Sequence, residues 1–211
     1  MNFVIEPVTD ALVAARATYV REEVFGREWK LQVPPLPASH SAGMLTLIAR
    51  PESQFEPVAV LTVMETTGDQ ELHRRLGLAF DEGARIARYT QLAVLKPYRG
   101  LNLPVQLVLA ARRQFVVPRH IDYTWLLFDA ERAGSSSFCK LLGFRASLET
   151  FDTEYGCSRV LIRKDGAAIT GVNGWRVQDS LSAYRINGHK KLTEARPFTV
   201  ARVLADEWVA Q

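Results

Sequence analysis

The stretch that most constrains this chain runs from Arg88 to Pro104, RYTQLAVLKPYRGLNLP. Leu92, Ala93, Val94 and Leu95 form an apolar run that reads as a strand, and Lys96-Pro97-Tyr98-Arg99-Gly100 reads as a basic turn. The residues after it place Leu103, Leu107, Val108, Ala111 and Phe115 on one helical stripe, with Arg112 and Arg113 outside it. The first amides of a helix lack intrahelical acceptors, and the helix dipole favours negative charge there. A strand feeding a basic, glycine-bearing turn at a helix start is therefore a place to hold a phosphate.

Around this unit the pattern alternates between strands and helices. Residues 3–8 predict an opening strand, and Asp10 an N-cap for a helix over 11–29. Leu12, Ala15, Tyr19 and Val20 mark its expected buried side, and Gly26 its expected interruption or end. Pro34, Pro35 and Pro37 make 31–43 a loop. Strands are expected over 44–49 and 58–65, and a short helix over 70–76. Residues 121–129 predict a strand buried on both faces, and 146–163 further strands around a Tyr155-Gly156 turn. Between them, Phe138-Cys139-Lys140-Leu141-Leu142-Gly143-Phe144 reads as a short helix closed by Gly143. In the last 48 residues a hairpin is expected over 182–192 and a helix over 197–209, packed on the same domain.

With 211 residues, the chain is long for one compact domain and short for two. The net charge of +3 is mild, and Lys and Arg are scattered rather than striped, which argues against a nucleic-acid binder. Cys139 and Cys157 make no disulfide framework, and no metal-type Cys/His spacing accompanies them. No apolar run approaches the roughly 18 residues that span a bilayer. MNFVIEPVTD lacks the layout of a signal peptide, so the expected setting is cytoplasmic and reducing.

Arg99-Gly100-Leu101-Asn102-Leu103-Pro104 resembles the acyl-CoA-binding turn of the GCN5-related N-acyltransferases, Arg/Gln-x-x-Gly-x-Gly/Ala, with both later small residues replaced. Phe138 to Phe144 resembles that family's second signature, an aromatic pair followed by x-x-Leu-Gly-Phe. Arg21-Glu22-Glu23-Val24-Phe25-Gly26-Arg27-Glu28-Trp29 and Arg88–Val94 are similar to segments of the autoinducer synthase and N-acyl amino acid synthase branch. In that branch's strand pattern Gln91 replaces an arginine and Arg88 a glutamate. A helix with solvated charges is the other reading of 21–29.

The resemblance implies a mixed α/β domain with a central, mainly antiparallel sheet, its core over 1–163 and an extension over 164–211. It implies N-acyl transfer from acyl-CoA or acyl-phosphopantetheine, without a metal. Leu92, Ala93 and Val94 would supply backbone partners to the pantetheine arm, with an amide near Val94 polarising the thioester carbonyl. Arg99, Gly100, Leu101, Asn102 and Leu103 would hold the phosphates, Asn102 capping the helix or taking a left-handed conformation. Pro104 offers no N–H, which favours a carrier-protein donor or a long-chain acyl-CoA over one gripped by its pyrophosphate, unless it only stiffens the first helical turn and a neighbouring amide compensates. Cys139 is either the proton donor to the leaving thiolate or a small packed residue beside Phe138. The base candidates are Glu28, Glu65, Glu82 and His40, with Glu28 favoured; a solvated surface group is the other reading of each. The expected partners are a small-molecule amine and an acyl-carrier protein, with neither nucleic acid nor a membrane span, in a monomer or homodimer. An acetyl-CoA-dependent acetyltransferase and a silent acyl-CoA sensor of the same fold are the competing functions.

Overall fold

The computed structural model describes residues 2–33, 36, 43–130, 141–153 and 156–165. Among these residues seven strands form one sheet: β1 Phe3–Pro7, β2 Met44–Pro51, β3 Ala59–Glu65, β4 Ile86–Val94, β5 Tyr123–Asp129, β6 Arg145–Thr153 and β7 Gly156–Lys164. Their order is β1-β2-β3-β4-β5-β7-β6. Only β4 and β5 run parallel; every other neighbouring pair is antiparallel. This is the mixed, mainly antiparallel sheet expected from the sequence. β5 is buried from Thr124 to Phe128, as a strand covered on both faces must be. The expected hairpin and helix of the last 48 residues, like Cys139 and His40, lie outside the described residues.

Alternation along the strands sends neighbouring apolar residues to opposite faces. Leu47, Ala49, Leu61, Val63, Tyr89, Leu92 and Val94 meet the helix α3, Leu103–Ala111, which a π-helical turn extends over Arg112–Val116. The predicted stripe is confirmed residue by residue, since Leu103, Leu107, Val108, Ala111 and Phe115 are all buried. Ile48, Val60 and Ala93 meet the helix α1, Ala11–Arg21, on the other face. A short helix α2, Gln70–Arg75, lies between β3 and β4 in sequence, and Leu76, Leu78, Trp125, Leu127 and Val160 make a third cluster.

Two features of α1 depart from expectation. Asp10 caps it through Oδ1, accepting from the amides of Leu12 and Val13 at 2.9 Å each. Ala15, Leu12 and Tyr19, however, face outward, the last two at 62% and 52% exposure. The buried stripe is Ala14, Ala17, Val20, Arg21 and Val24: small residues bring the helix close to the sheet, and the large ones are left on the rim. Nor does the chain break at Gly26. It widens into a π-helical segment over Glu22–Glu28, and Lys30, at φ 62°, follows its end.

A buried carboxylate ties the distal half of the sheet to α3. Asp165 accepts from Arg112 Nε at 3.0 Å, lies 3.2 Å from Arg163 Nε, and accepts the Thr124 hydroxyl. Burial and nearby Asp165 push the Tyr89 hydroxyl well above the usual phenol range.

Candidate acyl-donor and acceptor site

The site grows from a failure of pairing. β4 and β5 keep their parallel ladder only through Ile86–Tyr123, Ala87–Thr124 and Arg88–Trp125. Beyond Arg88, β4 continues against β3 while β5 continues against β7. The two strands therefore part, and among the described residues one flank of β4 loses its neighbour. The β3–β4 register also shifts there: Thr62 opposes Thr90 and Val60 opposes Ala93, so Leu61 faces two residues, Gln91 and Leu92. The extra residue is a β-bulge, with Gln91 in the left-handed region at φ 54°. Its Oε1 accepts from the Thr62 hydroxyl at 3.3 Å, and Thr62 in turn lies 3.0 Å from the Thr46 hydroxyl.

Backbone direction follows from the bonds made. The Leu95 amide donates to Val58, across β3, at 2.9 Å. Groups alternate along a strand, so Val94 faces the parting. Its carbonyl is met there by Arg99 Nε at 3.0 Å, and the same guanidinium reaches Glu28 Oε2 through Nη2 at 2.7 Å. Glu28, Val94 and Arg99, singled out separately from the sequence, thus form one contact chain. It links the end of the π-helical segment, the end of β4 and the turn before α3.

The turn itself is a short 3₁₀ segment over Lys96–Tyr98, followed by Gly100 at φ 87° and Asn102 at φ 58°. Both positions need the left-handed region, which glycine enters freely and asparagine more readily than other residues. Asn102 makes no side-chain cap bond, so its conformation, and not capping, accounts for it. Leu103 is wholly buried, Leu101 is 43% exposed, and Pro104 occupies the first turn of α3.

On the opposite face lies a polar band that sequence reasoning did not separate from surface charge. Arg21, in the middle of the buried stripe of α1, is 1% exposed. Its Nε and Nη1 have no hydrogen-bond partner among the described residues, and burial lowers its pKa to about 10. The solvated reading of this arginine is therefore overturned. Thr46, Thr62 and Thr90 share this face and are buried. Arg88 stacks 5.0 Å above Trp125, whose Nε1 donates to Thr66. His73 contacts Thr66 through Nε2 and packs edge-on against Phe80 and Trp125. Glu65 is bonded to Arg85 and lies 3.7 Å from Arg119, at the other end of β4 from Val94, and Glu82 is exposed.

No protein-family model matches the sequence, and no curated protein sequence matches it. Solved structures do match. Escherichia coli ElaA aligns with a TM-score of 0.57 at 12% identity, over 77% of this chain and 100% of its own. FeeM, an N-acyl amino acid synthase from uncultured soil microbes, aligns with a TM-score of 0.55 at 11% identity, over 77% of this chain and 92% of its own. The chain has the GCN5-related N-acyltransferase fold. A third match with that fold is Arabidopsis thaliana NAA60 in complex with acetyl-CoA, at a TM-score of 0.53 and 11% identity, over 78% of this chain and 99% of its own. At such identities the likeness to N-acyltransferases is one of architecture, and side-chain roles rest on this chain's own geometry.

Proposed function

We propose that this chain is an N-acyltransferase that moves an acyl group from a thioester donor to the amine of a small molecule such as an amino acid. The observation that carries the reading is the parting of β4 from β5 beyond Arg88 and Trp125, just ahead of the basic turn that opens α3. An extended pantetheine arm is a natural occupant of such a gap, because it can bond to the unpaired flank as an added strand would. The Val94 amide, on the same side as its carbonyl, is the proposed donor to the thioester oxygen. The turn residues Arg99 to Leu103 and the first free amides of α3 are the proposed phosphate partners.

In the reaction the amine nitrogen attacks the thioester carbon, the carbon–sulfur bond breaks, and the thiolate takes up a proton. The proton lost by the amine goes to a base. Cys139 is the proposed donor to the thiolate and Glu28 the proposed base, braced by Arg99. Loss of turnover at unchanged donor affinity in Glu28→Gln supports a base, whereas weakened donor affinity marks Glu28 as a brace. Equal, normal rates in Cys139→Ser and Cys139→Ala remove the cysteine from the mechanism.

Pro104 removes one amide from the first turn of α3, and a lost bond to a charged oxygen is worth roughly 1.5–3 kcal/mol. This favours an acyl-carrier protein or a long-chain acyl-CoA, held through its tail, over acetyl-CoA. Free thiol measured with acetyl-CoA, dodecanoyl-CoA and dodecanoyl-carrier protein, each against a panel of amines, tests donor and activity together. Thiol release with a long-chain donor is the expected result. Donor binding without thiol release from any combination would instead identify a sensor.

A further inference from the structure

We propose that Arg21, with Thr90 on the same face of the sheet, forms a carboxylate-binding subsite, so that the amine accepted is one that bears a carboxylate. The inference rests on the acyltransferase reading above and deepens its acceptor side.

Three observations converge on it. In the buried stripe of α1, which packs on Val60 of β3 and Ala93 of β4, Arg21 lies between Ala17 and Val24. Its Nε and Nη1 are shielded from water yet have no hydrogen-bond partner among the described residues. The Thr90 hydroxyl, 1% exposed and one residue before the bulge, is likewise without a bond there. A buried guanidinium with open donors is costly unless something anionic completes it. That cost falls on a residue in the middle of a packed helix, where leucine or methionine would fill the same volume without it.

The donor's phosphates do not fit this role. Their proposed partners are the turn and the first residues of α3, on the opposite face of the sheet, while Arg21 lies on the α1 face. Between the two is the parting at which the thioester would lie. An anion at Arg21 therefore belongs to the molecule that approaches from the α1 side, and that molecule is the amine. A carboxylate suits a planar guanidinium, and the threonine hydroxyl can donate to its second oxygen.

The test compares acids with their amides, which differ in charge and hardly in size. Native mass spectrometry of the intact chain, offered an equimolar mixture of N-acetyl and N-dodecanoyl amino acids and the corresponding amides, reads binding without needing turnover. Acids retained about ten- to a hundredfold more than amides, with the preference lost in Arg21→Met, is the expected result. Equal retention of acids and amides, or retention of neither, overturns the proposal. Turnover with free amino acids and amino acid amides is the second reading. Wild-type preference for the acids, erased in Arg21→Met with amide rates unchanged, supports it. Equal loss on both acceptors overturns it, because Arg21 would then serve the reacting oxyanion. Thermal melting guards against misfolding: Arg21→Met should melt at or above the wild-type temperature, since it removes a buried charge that lacks a partner. A large drop in melting temperature overturns the proposal by showing that Arg21 is held by the fold itself. The acyltransferase reading fails separately, by absence of thiol release with every acceptor.

Discussion

Backbone conformation, and not side-chain contact, explains some single residues in this chain. Asn102 is the clearest case, at φ 58° with no cap bond from its side chain. Asn102→Gly should leave the unfolding free energy measured in urea within about 0.5 kcal/mol of wild type, whereas Asn102→Val should cost about 1–2 kcal/mol. Equal losses in both would restore a capping role. His73 makes a second residue-scale prediction. Burial holds its pKa below the ordinary 6.5, against the opposing pull of Asp69. Below pH 6.5 the unfolded chain then binds more protons than the folded one. Stability from this residue is complete above that pH and is lost as pH falls through the folded value. Urea midpoints should decline from pH 7 to pH 5, and the decline should be shallower in His73→Gln. A slope unchanged by the substitution would show that His73 does not titrate in this window. A special role for Asn102 after Gly100 was legible in the sequence, as a helix cap or as a left-handed residue, and the backbone decides for the second. The burial of Arg21 was not, because a lone arginine among Glu22, Glu23 and Arg27 carries the same local pattern as a solvated one.

At the scale of elements, α1 shows where hydrophobic size misleads. Leu12 and Tyr19 look like core residues, yet Ala14 and Ala17 occupy the interface, at 4% and 0% exposure. Ala17→Leu should overpack the contact with the sheet and cost about 1–3 kcal/mol, while Leu12→Ala should cost less than about 0.5 kcal/mol. The reverse order in denaturant melts would mean that the helix is rotated. The continuation into π-helical turns over Glu22–Glu28 had no sequence signal beyond Gly26, and it carries Glu28 to Arg99. Their side chains keep 32% and 20% exposure, so solvent screens the pair. A double-mutant cycle with Glu28→Gln and Arg99→Gln should return a stability coupling of about 0.2–1 kcal/mol. No coupling would mean that the contact is incidental, and then the bracing of Glu28 by Arg99 would fall with it.

For the whole molecule, the positions of the strands followed from the alternating pattern and the mainly antiparallel sheet from the family resemblance, whereas the pattern stated neither the strand order nor the parting of β4 and β5. Nothing in RYTQLAV or IDYTWLLFD states how many pairs the two strands share. The answer depends on the bulge at Gln91 and on β7 holding β5 through to Asp129. That long-range competition turns an ordinary buried strand into one with an unpaired flank, and it allows a direct test of the proposed oxyanion donor. Val94 opposes Ala59 on β3, but its amide faces the parting, so proline there removes no ladder bond with β3. Val94→Pro should therefore fold, losing about 1–2 kcal/mol from thinner packing against α3. It should still bind dodecanoyl-CoA, and its kcat should fall by about a hundred- to a thousandfold, the usual loss for one oxyanion donor. Val94→Ala keeps the amide and should retain most of the activity at a similar loss of stability. Matching rates in the two variants would move the oxyanion donor to another residue of β4, because only the proline removes this N–H.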